Sequence, residues 1–179
     1  MKQFFIVALF FSGTAYAQQQ PATPAAPVTQ LESFSAQSGV LTLRETLGTK
    51  LFNGQFSGDS QLELEGVRVS RPGTKLSAYG VVFTVANGKF EKRIYIDKDE
   101  LPGLIDATSY IIKNAKALNS KLSPELTFIS KAGLKITVLT STSSGVNYAV
   151  TAGIYSIFLT ADDITQIRDQ LVAFQPLFK

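Results

Sequence analysis

Apolar and polar residues alternate along most of the chain between residues 40 and 96, which is the pattern of β-strands with one buried face. The clearest run places Val81, Phe83 and Val85 at every second position. Asn87-Gly88 follows this run, and this dipeptide is a strong hairpin signal because both positions tolerate positive φ. The pattern therefore predicts an antiparallel meander of strands at residues 40–45, 61–70, 76–86 and 90–96.

In the second of these strands, the alternation of apolar and polar residues changes phase at a glycine. Leu62 and Leu64 lie at even positions, whereas Val67 and Val69 lie at odd positions, and Gly66 stands where the pattern changes. A β-bulge inserts one residue and so restores a common face. We therefore expect a bulge at Gly66 that directs both pairs toward one core.

The pattern becomes helical after residue 97. Apolar residues recur three and four positions apart from Leu101 to Leu118, which predicts an amphipathic helix that ends near Asn119. Pro102 fits only the first turn of a helix, so the sequence favours Asp99 as the N-cap.

The second half of the chain repeats this order of elements. A second helix is predicted from the capping sequence at residues 160–163 until Pro176. Four strands precede it, at residues 126–130, 134–140, 146–152 and 154–159. The predicted fold class is therefore α+β, an antiparallel β-sheet of about eight strands that two helices cover on one face.

The two strand-to-helix junctions align with each other. When Leu101 is placed on Ile164, Leu104 falls on Ile167. A duplicated ββββα unit would produce this match, with halves at residues 31–122 and 123–179. Any strand that runs into a capped helix would also produce it, so both origins stay open.

The N-terminus has the pattern of an export signal. Lys2 precedes an almost unbroken apolar run, and Ala15-Tyr16-Ala17 is a small-x-small cleavage site. The apolar run is too short to span a membrane, so we expect no integral span after cleavage and a periplasmic or secreted protein. The predicted organisation is a signal peptide at 1–17, a Pro/Ala/Gln-rich linker at 18–30 and a single α+β domain at 31–179.

Cysteine and histidine are absent, which removes many kinds of site. Metal sites built on thiolate or imidazole are excluded, as are disulfides and Ser-His-Asp or Cys-His catalysis. Neither a phosphate-binding P-loop nor a dinucleotide fingerprint occurs, so no cofactor is expected. The formal net charge of +3 is too small to indicate a polyanionic partner.

The densest acidic group consists of Asp97, Asp99, Glu100 and Asp106. Such carboxylates could bind calcium or act as the acid and base of a hydrolase. Acidic residues in the first turn of a helix are also expected for capping, and the spacing of an EF-hand loop is absent. The sequence therefore favours the capping interpretation and predicts no metal site.

Cationic and aromatic side chains accumulate on the strands that precede the first helix. The candidate binding residues are Arg93, Tyr95, Tyr79 and Lys92, because Tyr and Arg are frequent binding hot spots. The order of elements resembles that of the Whirly single-strand-binding proteins, but no stretch of this chain matches their basic loop motif. Glutamates also interleave with the cations, so we expect no nucleic-acid partner.

The leading functional hypothesis is an exported, non-enzymatic domain that binds a protein, peptide or envelope polymer. The binding surface would be a sheet face or an exposed sheet edge. A metal-independent hydrolase that uses Asp and Glu carboxylates is one alternative, and a self-associating structural envelope protein is another. The binding hypothesis requires an exposed binding surface, and the hydrolase hypothesis requires two carboxylates in one cleft. The structural hypothesis requires a self-complementary surface.

Overall fold

The computed structural model describes residues 26–118, 124–141 and 145–179. The predicted signal peptide and residues 18–25 of the predicted linker lie outside the described residues. The described residues form three α-helices and eight strands, which are in chain order α1 (Gln30–Ser35), β1 (Leu43–Asn53), β2 (Ser60–Ser70), β3 (Ser77–Asn87), β4 (Phe90–Asp97), α2 (Leu101–Asn114), β5 (Glu125–Ile129), β6 (Leu134–Ser141), β7 (Gly145–Ala152), β8 (Tyr155–Leu159) and α3 (Ala161–Phe174). Short 3-10 turns follow α2 at Ala115–Ala117 and α3 at Gln175–Leu177.

The strands form two antiparallel sheets. Sheet A has the order β1-β2-β3-β4 and sheet B the order β5-β6-β7-β8, so each half of the chain is a meander followed by a long helix. The turn at Asn87-Gly88 joins β3 to β4, and Gly88 has the φ of 60° that this turn needs. The predicted α+β fold with about eight strands and two long helices is confirmed, although the strands are divided between two sheets.

The β-bulge lies on β1, and the predicted bulge at Gly66 is wrong. The pairing of β1 with β2 shifts between Thr46 and Gly48, so Leu47 is the extra residue. Gly66 lies opposite Gly48 and pairs in regular register with β3. Strand β2, in which the apolar pattern changes phase, is therefore regular, and the bulge lies on the neighbouring strand β1.

The apolar residues of β2 face opposite sides of sheet A. Leu62 and Leu64 belong to the main core, whereas Val67 and Val69 belong to a smaller second core with Leu31 of α1. The expectation that both pairs share one core is therefore wrong. Both pairs are buried because α1 covers the second face of the sheet.

The main core lies where sheet A, sheet B and the two long helices meet. Its buried residues come from both halves of the chain. The buried positions of the two helices share one spacing, with Leu101, Leu104, Thr108 and Ile111 in α2 and Ile164, Ile167, Leu171 and Phe174 in α3. Because both halves contribute to one core, each half covers apolar surface that the other would otherwise expose.

Helix α1 begins before residue 31, where the sequence places the start of the domain. Thr29 is its buried N-cap, and the Thr29 hydroxyl accepts the N–H of Glu32 at 3.1 Å. Leu31 is fully buried in the second core. The folded region therefore begins within the predicted linker at 18–30. A helix of six residues is too short to show the periodicity that predicts longer helices.

The two long helices begin in different ways. A capping box opens α3: Thr160 Oγ1 accepts the N–H of Asp163 at 3.1 Å, and the Asp163 carboxylate accepts the N–H of Thr160 at 3.0 Å. The sequence favours Asp99 as the cap of α2, and this is wrong. Glu100 is the N-cap, and its side chain makes no capping hydrogen bond.

Candidate functional site

Three of the predicted binding residues, Lys92, Arg93 and Tyr95, meet at one small pocket beside the edge strand β4. The pocket has a volume of about 180 Å³, and Glu32 of α1 also lines it. Arg93 already pairs with Glu91 at 3.1 Å, and both side chains are more than half exposed, so this ion pair adds little stability. Tyr95 packs against the second core, which means that its ring supports α1 as well as lining the pocket.

Tyr79, the fourth predicted residue, lies on the opposite face of sheet A. Its ring packs against the main core, with its centroid 6.1 Å from that of Phe178. The Arg68 guanidinium and the Lys98 ammonium lie 5.6 and 5.8 Å from the ring centroid. Tyr79 therefore packs against side chains of its own protein while it lines an open cavity with Asp97, and the structure does not bring it together with Tyr95.

Asp97 holds α1 against sheet A. Its Oδ2 accepts the N–H of Gln30 at 2.8 Å, and its Oδ1 accepts the N–H of Leu31 at 2.9 Å. These N–H groups belong to the first turn of α1, where no carbonyl of the helix itself can accept them. The most buried carboxylate of the predicted acidic group thus has both oxygens engaged in a structural role.

Two of the other carboxylates of this group bind Lys131, and the third is exposed. Asp99 accepts a hydrogen bond from Lys131 Nζ at 3.1 Å, and this bond together with the charge of Asp99 raises the pKa of Lys131. Glu100 accepts the backbone N–H of Lys131 at 2.7 Å, and Asp106 is exposed. Asp99 lines the same open cavity of about 540 Å³ as Asp97. Since Asp97 is engaged by α1, this cavity does not present two free carboxylates.

Replacing Asp97 by asparagine is expected to lower the free energy of unfolding by about 1–3 kcal/mol. The amide keeps one neutral acceptor oxygen, so one N–H in the first turn of α1 loses its acceptor and the other loses the charge of its acceptor. Urea denaturation followed by circular dichroism measures this change. Asp106→Asn is the matched control, because this exposed carboxylate should change stability by less than about 0.5 kcal/mol. Equal effects of the two substitutions would contradict the role of Asp97.

Two pairs of aromatic rings lie on opposite faces of β8, where this strand meets the loop ends of sheet A. The ring centroids of Phe56 and Phe158 are 5.6 Å apart, and those of Phe90 and Tyr155 are stacked at 6.3 Å. The N–H of Gln55 donates to the carbonyl of Phe158 at 2.8 Å, which holds the β1–β2 loop against β8. Phe56 and Phe90 are 66% and 65% exposed. Tyr155 shares its face of β8 with the buried Ile157 and packs against the main core, whereas Phe158 lies on the other face with Phe56. Phe56 and Phe158 are called the aromatic surface below.

A polar pocket without charge lies at the aromatic surface. It has a volume of about 170 Å³, and Phe56 and Phe158 form part of its wall. Its polar lining consists of side chains with a hydroxyl or an amide, namely Ser57, Ser60, Asn87 and Ser156. Clefts for drug-sized ligands measure roughly 300–1,000 Å³, so this pocket suits one small polar unit of a larger ligand.

Function has to be inferred from the chain's own residues, because neither a known protein family, nor a curated protein, nor a solved structure matches this chain. In the part of the chain that the structure describes, no group of three or more Asp or Glu side chains is placed to hold a metal ion. No helix in those same ranges is long and apolar enough to cross a membrane.

Sequence reasoning missed the aromatic surface, although two signals point to it. Phe158 lies between the buried residues Ile157 and Leu159, which places a large aromatic ring on the solvent side of its strand. Phe56 stands in a loop of Gly, Gln, Ser and Asp residues, where a hydrophobic ring has nothing local to pack against. Exposed apolar patches of this kind mark binding surfaces.

Proposed function

We propose that this protein is an exported, non-enzymatic binding domain, and that its aromatic surface holds a neutral carbohydrate segment of an envelope polymer. One observation carries the proposal: the exposed rings of Phe56 and Phe158 adjoin a pocket lined by hydroxyl and amide groups and by no charged side chain among the described residues. The export signal predicted from the N-terminus supports a location at which such polymers occur.

The chemistry of a sugar ring fits both parts of this surface. The C–H groups on one face of the ring carry small positive charges, so they pack favourably on the negative face of an aromatic ring. The sugar hydroxyls need hydrogen-bond partners when they leave water, and hydroxyl and amide side chains both donate and accept. Phe56 and Phe158 supply the first type of contact, and Asn87 and Ser156 supply the second.

The absence of charge in the pocket favours a neutral ligand over a polyanion. Phosphate and carboxylate ligands are held by Arg or Lys through charge-assisted hydrogen bonds, and no cationic residue lines this pocket. Lys92 and Arg93 line the separate pocket beside β4. Binding to the aromatic surface should therefore depend little on ionic strength.

Removing two rings is expected to weaken binding of a neutral cell-wall polysaccharide by at least about tenfold. The variant is Phe56→Ala/Phe158→Ala, and truncation of a hot-spot aromatic typically costs about 2 kcal/mol or more of binding free energy. Co-sedimentation with insoluble polysaccharide and calorimetry with soluble fragments, each at low and high salt, measure the change. Both rings are partly exposed, so circular dichroism should show the variant folded.

Val172→Ala serves as the control for loss of exposed apolar surface. Val172 is 46% exposed on α3 and takes no part in the aromatic surface, so its truncation should leave binding unchanged. Equal polysaccharide binding by the double variant and the unmodified protein would contradict the proposal. So would binding that is restricted to a protein from the envelope or that disappears at high salt.

A further inference from the structure

Strand β1 is an open edge of sheet A. It is eleven residues long, seven of these residues are exposed, and it contains no proline. Within the described residues, its backbone forms a ladder with β2 alone. A long edge strand presents a row of N–H and C=O groups to which another strand can pair.

The bulge on β1 brings Glu45 and Lys50 to the same face. These residues are an odd number of positions apart, so a regular strand would direct them to opposite faces. The extra residue, Leu47, changes this. The Glu45 carboxylate lies 3.5 Å from Arg68, and Lys50 Nζ lies 6.0 Å from the ring centroid of Phe52, which belongs to the main core.

We propose that β1 pairs antiparallel with β1 of a second copy of this chain, about a two-fold axis that passes between Leu47 and Gly48. Two four-stranded A sheets would then form one continuous sheet. This register places side chains of the same face opposite each other, with the pairs Glu45 and Lys50, Thr46 and Thr49, and Leu43 and Phe52, each formed twice between the two copies.

Charge complementarity identifies the occupant of this edge as a second copy. Lys50 makes no ion pair within the described residues, and the Glu45–Arg68 pair is weak because both side chains are more than 40% exposed. A lysine and a bulge usually keep an edge strand from pairing. In the two-fold register, Lys50 of one copy lies opposite Glu45 of the other, and the bulges of the two copies lie opposite each other.

This inference does not depend on the proposed function. The aromatic surface lies outside β1, in the β1–β2 loop and on β8, and none of its residues belongs to the proposed cross-strand pairs. The dimer would carry two such surfaces. Loss of dimerisation therefore tests the inference, and loss of polysaccharide binding by the monomer tests the proposed function.

Charge reversal on β1 tests the pairing. In Glu45→Lys or Lys50→Glu, two attractive cross-strand pairs become two repulsive ones, which should raise the dimer dissociation constant roughly 10- to 100-fold. The exchanged variant Glu45→Lys/Lys50→Glu restores both attractive pairs, so its dissociation constant should return to within about threefold of the original. Sedimentation equilibrium over a range of protein concentrations at low salt measures all four proteins.

Glu91→Lys is the matched control, because it makes the same change of charge on β4 at the other edge of sheet A. It should leave the dimer intact. A protein that stays monomeric at every concentration would overturn the inference. The inference would also fail if the Glu45 and Lys50 variants dimerise as the unmodified protein does, or if the Glu91→Lys variant dissociates instead.

Discussion

Replacing Phe174 by alanine is expected to lower the free energy of unfolding by about 3–5 kcal/mol. Phe174 is 1% exposed at the end of α3, and its ring centroid lies 6.4 Å from that of Phe178. The ring also lies directly over the bulged region of sheet A, where β1 and β2 have glycine. Its loss removes a contact between the last helix and the first sheet. Urea denaturation followed by circular dichroism measures the change.

Gly66→Ala provides the internal control for this prediction. A Cβ on Gly66 would lie 2.7 Å from Phe174 Cδ1, so the substitution alone should cost about 1–3 kcal/mol through overpacking. In the Phe174→Ala background the ring is absent and this cost should vanish. A double-mutant cycle would then show strong coupling. Additive effects of the two substitutions would show that the ring does not occupy the space above Gly66.

Gly80→Ala is expected to destabilise the protein by about 3 kcal/mol or more. A Cβ on Gly80 would lie 2.1 Å from the carbonyl oxygen of Ile96 on the neighbouring strand and 3.1 Å from Leu31 Cδ2. The carbonyl belongs to the backbone of β4, so it cannot move away without disturbing the ladder between β3 and β4. The midpoints of thermal and urea unfolding should both fall.

Gly103→Ala is the matched control for Gly80→Ala, and its effect should have the opposite sign. Gly103 lies in the first turn of α2, and a Cβ there would meet no atom within 4 Å. Alanine reduces the conformational freedom of the unfolded chain, so stability should rise by about 0.4–1 kcal/mol. Destabilisation by both substitutions to a similar extent would contradict the steric explanation for Gly80.

Local patterns were sufficient for most elements of the fold. The capping box at Thr160 and Asp163, the hairpin at Asn87-Gly88 and the buried positions of α2 all involve residues within a few positions of each other. The sequence predicts the first strand at residues 40–45, and this is wrong for most of β1, which is Leu43–Asn53. The side chains of β1 are mostly exposed, and its bulge interrupts the alternation near Leu47. Pattern analysis detects a half-buried strand, and an exposed edge strand gives a weak pattern.

The candidate site was harder to predict, because its residues are far apart in the sequence. Tyr79 and Tyr95 are both aromatic residues of adjacent strands, yet they face opposite sides of sheet A. Asp97 was expected to act near α2, but it binds the N–H groups of α1. The rings of Phe56 and Phe158 meet only because β8 crosses the end of sheet A.

The sequence by itself determined the α+β class, the two meanders, the two long helices and the faces that those helices bury, because backbone geometry relates these features to residues a few positions apart. Only the tertiary structure decided that the strands form two sheets, that α1 buries the second face of sheet A, and that the bulge lies opposite Gly66. It also decided that the aromatic surface exists. These features depend on contacts between distant segments, and the alternation of apolar and polar residues shows that a face is buried without showing which element covers it.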